Sequence, residues 1–248
     1  MDKKLANKVA VVTGGSQGIG AGIVRKLAKD GANVVFSYKS NKDAAEKLVK
    51  EIETSGAKAI AIKADVTEIQ DLESLVEQAA NEFGKLDIFV NNAGVFTFHP
   101  IEAITLEEVK RLFNTNVFAP MFAIKSALGH FNDGGSIINI GSIVATSAPA
   151  AAVAYSSSKA AVDGITKVLS KELASRKIRV NQINPGSIRT EGAQKAGLTE
   201  EFENTLVAGI PLSRIGFPED IANLTAFLAS NEAQWITGEI IMVSGGAR

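Results

Sequence analysis

Lys8-Val9-Ala10-Val11-Val12-Thr13-Gly14-Gly15-Ser16-Gln17-Gly18-Ile19-Gly20 decides how this chain folds. Its first six residues are almost continuously apolar, the pattern of a parallel strand buried on both faces. A helical segment follows from about Gln17 to Lys29, with Ile19, Ile23, Val24 and Leu27 on one stripe. Between strand and helix lies a glycine-rich turn. Gly14 permits a tight exit from the strand, Gly18 lets backbone approach a phosphate, and Gly20 allows helix to pack closely on sheet. The helix N-terminus then presents free N–H groups and a partial positive charge to a pyrophosphate. The spacing is Gly-x₃-Gly-x-Gly, neither Gly-x-Gly-x₂-Gly nor a phosphate loop ending in Gly-Lys-Ser/Thr. Gly14, Ser16, Gln17, Gly18, Ile19 and Gly20 are therefore the first candidate dinucleotide contacts.

Outward from this turn the apolar pattern alternates between short runs and longer amphipathic segments. Strands are expected at Lys8–Thr13, Asn33–Ser37, Ala59–Lys63, Leu86–Asn91, Ser136–Ile140, Arg179–Ile183 and Glu239–Val243. Helices are expected at Gln17–Lys29, Asp43–Ser55, Glu68–Phe83, Thr105–Leu128 with a break near Pro120, Ala154–Ser175 and Ile221–Ala229. This alternation implies right-handed βαβ units: an α/β fold, a doubly wound parallel sheet of about seven strands with helices on both faces. Ligands belong at the carboxyl ends of such strands. No long, polar, featureless stretch divides the chain, so residues 1–248 read as one domain.

Composition excludes several functions. The 248 residues carry a net charge of −1 with no basic block, which speaks against nucleic acid. No cysteine is present, so disulfides, thiolate catalysis and cysteine-based zinc sites are out. Two histidines, His99 and His130, are too few for a His-rich metal centre, and no metal is expected. No apolar run has the length of a signal peptide or a bilayer span, so no membrane role and a cytoplasmic location are expected.

The end of the second strand reads Phe36-Ser37-Tyr38-Lys39-Ser40-Asn41, without the carboxylate that would hold an adenine ribose 2′-hydroxyl. Lys39, with the hydroxyls of Ser37 and Ser40 around Tyr38, suits a 2′-phosphate instead, favouring NADP(H) with NAD(H) also admissible. Farther on, Tyr155 and Lys159 stand four residues apart on one helix face. A nearby ammonium, or an oxidised nicotinamide ring, stabilises a phenolate and so makes tyrosine a workable proton donor. Ser142, after the fifth strand, is placed where a substrate carbonyl could accept its hydrogen bond. Asn91-Asn92-Ala93-Gly94 after the fourth strand leaves room for a ribose, and Asn116 lies between.

With the glycine-rich turn, these four motifs closely resemble the short-chain dehydrogenase/reductase family, from Lys8 to Ser244-Gly245-Gly246. The resemblance implies a Rossmann-type fold and hydride transfer between a nicotinamide cofactor and a ketone or secondary alcohol. It implies that Ser142 polarises the carbonyl, Tyr155 transfers the proton, Lys159 binds the nicotinamide ribose and lowers the Tyr155 pKa, and Asn116 supports a water-linked relay. It assigns Asp65-Val66 to adenine, Asn92, Ala93 and Gly94 to the ribose side, and Pro185, Gly186, Ile188 and Thr190 to the nicotinamide and pyrophosphate. A homotetramer is also implied. Family members that use NADP often carry a basic residue inside the glycine-rich turn. Ser16 and Gln17 stand there, which leaves more of that work to Lys39.

Phe96, Phe98 and the small-residue segment Ile143–Val153 suggest an apolar pocket, with residues 186–211 as a lid. A carbonyl reductase is the leading reading. A 3-oxoacyl-carrier-protein reductase would need a cationic patch, which Lys125, Arg176 and Lys177 do not make. A sugar or polyol dehydrogenase is loosely suggested by Ser37–Glu46. A non-catalytic NADP-binding sensor conflicts with the intact Ser/Tyr/Lys/Asn set. His99 reads as a solvated loop residue, His130 as a helix-end cation, and Trp235 as core or interface packing.

Overall fold

The structure, a computed structural model, describes residues 3–195, 197 and 199–247. Seven strands form one sheet: β1 (Val9–Val12), β2 (Asn33–Tyr38), β3 (Ala59–Lys63), β4 (Leu86–Asn91), β5 (Phe131–Ile140), β6 (Arg179–Pro185) and β7 (Ile240–Val243). Their order is β3-β2-β1-β4-β5-β6-β7, and every pairing is parallel. The connection reverses direction between β1 and β4, which opens a crevice at their carboxyl ends. All four residues of β1 are buried, because helices cover both faces. One face packs α1 (Gly18–Lys29), α2 (Lys42–Thr54) and α10 (Pro218–Ala229) through Ile23, Leu27, Leu48, Ile221 and Leu228. The other packs α3 (Ile69–Phe83) and α5 (Ala119–Ala127) through Leu72, Leu75, Val76 and Ile124.

The expected helix 105–128 is two helices, α4 (Leu106–Phe113) and α5, joined by a widened π turn at Asn114–Phe118. Pro120 itself sits in the first turn of α5, where a missing N–H costs little. A proline ring crowds the carbonyl four residues earlier, here that of Asn116, so the distortion lies one turn before the proline. Helix α7 (Val153–Glu172) ends sooner than expected, in a 3₁₀ turn closed by Lys177 at φ 56°. Helix α10 starts three residues early, because Asp220 Oδ2 accepts the Phe217 N–H at 2.8 Å and Pro218 opens the first turn. Strand β5 begins at Phe131, five residues before the expected start. Short helices α6 (Val144–Ser147), α8 (Glu191–Lys195) and α9 (Glu200–Val207) occupy stretches with no helical period of useful length.

A buried row of polar side chains ties α7 to the sheet. Asn91 Nδ2 donates to Asn139 Oδ1 at 2.9 Å, and Asn139 Nδ2 donates to Thr166 Oγ1 at 2.9 Å. Thr166 Oγ1 donates to Gln182 Oε1 at 2.9 Å, and Gln182 Nε2 donates to Asp163 at 2.6 Å and Asn184 at 2.7 Å. Buried amides are costly when unpaired, so this row admits one register of helix on sheet. Among the described residues no helix is long and apolar enough to cross a membrane.

Candidate active site

A cleft of about 370 Å³ lies over the carboxyl ends of β1, β2 and β4. Gly14 and Gly18 take φ values of 63° and 55°, the left-handed region that favours glycine. A Cβ on Gly20 would stand 2.2 Å from the Gly14 carbonyl, so only glycine allows α1 to approach the turn. Ser16, Gln17, Gly18 and Ile19 line the cleft with them. Gly18, the first residue of α1, donates its N–H to Glu191 Oε2 at 3.1 Å. A carboxylate thus occupies the helix N-terminus, and the chemistry that holds it would hold a pyrophosphate. Thr190 stands opposite Gly18 and also lines the cleft.

The second wall is the turn after β4. The Thr13 hydroxyl accepts the N–H groups of Asn92 and Ala93 at 3.0 and 3.1 Å, while Asn92 Nδ2 donates to the carbonyls of Thr13 and Gly14, both at 2.9 Å. Asn92, Ala93 and Gly94 therefore face the cleft as expected, joined by Val95 and Thr115, which sequence reading did not single out.

At the far end, Tyr38, Lys39, Ser40, Asp65 and Val66 line the cleft. Ser37 lines it as well; it is largely buried, and its hydroxyl accepts the Gly14 N–H at 3.0 Å, which shapes the glycine turn. Lys39 Nζ pairs with Asp65 Oδ2 at 2.5 Å. Burial pushes the Asp65 carboxyl up, but hydrogen bonds from Lys39 and Thr67 outweigh it and hold the group below the usual carboxylate range. The lysine is largely exposed, so the pair is worth at most about 1 kcal/mol and a phosphate could displace it. A second hollow, about 560 Å³, lies beyond Ser16 and Gln17, bounded by Arg25, Lys47, Arg189, Glu191 and Glu219.

Ser142, Tyr155 and Lys159 lie beyond the residues that line this cleft, Tyr155 beside the Phe96 ring and Lys159 Nζ close to Gly94. Ser142 follows β5, and Tyr155 stands in the first turn of α7. Burial pushes the Tyr155 pKa up, and the nearby Ser142 hydroxyl offsets part of this. Lys159, one turn on, is 5 % exposed and donates to the Ile140 carbonyl at 2.9 Å. Burial pushes its ammonium down to about 8. The expected lowering of Tyr155 by Lys159 is absent in this arrangement, because the ammonium is directed at the Ile140 carbonyl and the Gly94 backbone. Asn116, on the π turn, returns both hydrogen bonds of the Val95 backbone and donates to Ser158 Oγ at 3.0 Å. Pro185 accepts the Ile143 N–H at 3.0 Å, Gly186 packs on Ser244, and Ile188 is buried.

A family profile described as enoyl-(acyl carrier protein) reductase matches residues 14–248. The chain belongs to the short-chain dehydrogenase/reductase family. An uncharacterised oxidoreductase of Methylorubrum extorquens is 50% identical over 246 residues, 99% of both chains. A hydroxynaphthalene reductase of Aspergillus fumigatus is 39% identical over 95% of this chain and 90% of that one. A blue fluorescent protein from a metagenomic library, solved with NADPH, is 42% identical with a TM-score of 0.92 over 98% of both chains. This short-chain dehydrogenase/reductase is thus an oxidoreductase acting on CH–OH and C=O groups, with a nicotinamide cofactor. The sequence reading singled out neither Thr13, whose hydroxyl serves a turn 79 residues away, nor Glu191, whose contact spans 173 residues.

Two measurements follow. Lys159 has a folded pKa of about 8 against 10.5 ordinarily, so the unfolded chain binds more protons between these values and stability rises with pH there. Lys159→Met removes that burial cost; in urea titrations it is expected to be more stable than wild type below pH 8, by on the order of 3 kcal/mol. The gap closes as pH approaches 10.5, and a constant gap would contradict the assignment. Glu191→Gln removes the anion that competes for α1, so NADPH fluorescence titration should show about fivefold tighter binding. Unchanged affinity would show that the contact carries no weight.

Proposed function

We propose that this oxidoreductase reduces apolar ketones, flat and aromatic ones above all, with NADPH, and oxidises the matching secondary alcohols. The observation that carries this reading is the Tyr155 side chain, near the Ser142 hydroxyl and flanked by the Phe96 and Phe98 rings, whose centroids lie 6.2 and 5.9 Å from the Tyr155 ring. An apolar wall beside the proton donor suits a substrate with little else to hydrogen-bond. The likeness to a hydroxynaphthalene reductase supports the aromatic preference.

In this reading Ser142, whose oxygen accepts the Val144 N–H at 3.3 Å, turns its proton to the substrate carbonyl. Bound NADPH supplies the hydride. Tyr155 then gives its proton to the same oxygen, and its phenolate is stabilised by the charge of Lys159 once that ammonium turns to the cofactor ribose. Asn116 holds the turn that carries Gly94 and supports a water-linked relay. Residues 186–211, with α8 and α9, form the lid; Arg189 Nε on one side donates to Glu203 at 2.9 Å on the other. Lys39 and Ser40 receive the 2′-phosphate, and the resemblance to an NADPH-bound structure supports this choice.

A carrier-protein substrate is less favoured. Arg176 is committed to Asp133 and to the carbonyls of Leu128 and Phe131, so it offers no free cation to an acidic partner. A homotetramer in the cytoplasm completes the proposal. Trp235 is 97 % exposed, which rules out the expected core role and leaves the interface one. Phe118, Met121 and Val168 expose a second apolar face on the helices that pair in this family.

Tyr155→Phe should lower kcat for ketone reduction by a factor on the order of a thousand with NADPH affinity unchanged. Retained turnover would remove Tyr155 as proton donor. Lys39→Ala should lower the NADPH-to-NADH ratio of kcat/KM about tenfold, since a charge-assisted contact is lost. An unchanged ratio would assign the choice elsewhere.

A further inference from the structure

The aromatic wall is carried by backbone without regular structure of its own. Residues 92–100 belong to no helix or strand, yet Phe96 and Phe98 hold fixed positions against Tyr155. Such a segment must find its partners elsewhere. It finds them at alternate residues. Val95 exchanges two hydrogen bonds with the Asn116 amide, at 2.9 and 2.8 Å. His99 meets the Glu108 carboxylate, Nδ1 lying 2.8 Å from Oε2, and Thr97 stands close enough to favour the charged carboxylate. In extended chain, successive side chains point to opposite sides, so pinning 95, 97 and 99 on the helix side turns 96 and 98 toward the cleft.

The two anchors are also spaced to match. Four residues of extended chain, from 95 to 99, span about 13 Å. Eight residues along the helical run, from Glu108 to Asn116, span about 12 Å. Glu108 has a conventional alternative use. In Thr105-x-x-Glu108 the threonine hydroxyl accepts the Glu108 N–H at 3.2 Å, and the glutamate of such a pattern usually reaches back to the threonine amide. Here its carboxylate goes out to Thr97 and His99. The Glu108 side chain is 12 % exposed while that of His99 is half exposed, and Arg111 adds a favourable charge nearby.

We propose that Glu108 is a positioning residue for substrate recognition, clamping Thr97 and His99 so that Phe96 and Phe98 form a rigid wall for flat, aromatic ketones. This rests on the ketone-reductase reading of the site. The clamp touches neither cofactor nor the reacting atoms, so its loss should appear in the KM of substrates that use the wall.

The test compares α-tetralone with 2-butanone in Glu108→Ala, Glu108→Gln, Phe98→Ala and the Glu108→Ala/Phe98→Ala double variant. Glu108→Ala should raise KM for tetralone about fivefold, with kcat and the KM for butanone changed less than about twofold. NADPH affinity should stay unchanged. Glu108→Gln, which keeps an acceptor, should restore part of the loss. The loss in the double variant should be less than the two single losses combined, because the clamp acts in part through the Phe98 ring. Equal losses for both ketones, or additive losses in the double variant, would overturn the proposal. Hydrogen exchange supplies the readout that needs no turnover: the Val95–His99 amides should exchange faster in Glu108→Ala. If no ketone is reduced, the reading of the reaction falls; faster exchange would still support the clamp, and unchanged exchange would reject it.

Discussion

The site depends on one hydroxyl. Thr13 ends β1 at the point where the strand order reverses, and its oxygen accepts two N–H groups from the turn after β4. Asn92 returns the contact through two carbonyls. Parallel strands bring their carboxyl ends to one edge but do not fix how the loops beyond them meet. Here the first phosphate-facing turn and the ribose-facing turn are stapled into one wall. From that wall Gly94 abuts Lys159 and Asn116, and the chain continues into Phe96 and Phe98. The cofactor end and the substrate end of the cleft thus share a single mechanical origin.

Burial is used against stability at the catalytic group. Lys159 is an ammonium with one carbonyl partner in a nearly dry place, and Tyr155 is a phenol surrounded by rings. Both environments favour the neutral form. A positive charge or a hydrogen-bond donor brought close to the Tyr155 oxygen would shift it toward the phenolate. The polar row beneath, from Asn91 to Gln182, supplies the rigidity that keeps α7 in place despite this cost.

The strands and main helices were legible because buried parallel strands read as unbroken apolar runs and amphipathic helices as a 3.6-residue period. The glycine turn was legible because its residues are local neighbours. Less was legible where position depends on tertiary contact. Ser37 lines the cleft as expected, but its bond to the Gly14 N–H joins two loops 23 residues apart, which no local pattern displays. The π turn at Asn114–Phe118 follows from Pro120, yet its offset of one turn is set by a clash that periodicity does not display. Glu108 sits in a capping pattern that conceals its other use. The short helices after residue 190 are too brief for any period to show.

The Gly18–Glu191 hydrogen bond has a kinetic side. A carboxylate tethered to the same chain competes at an effective concentration set by the loop that carries it, and dilution of the protein does not weaken it. An anion that binds the N-terminus of α1 must exchange with it, and on leaving is replaced by it without waiting for a solvent ion.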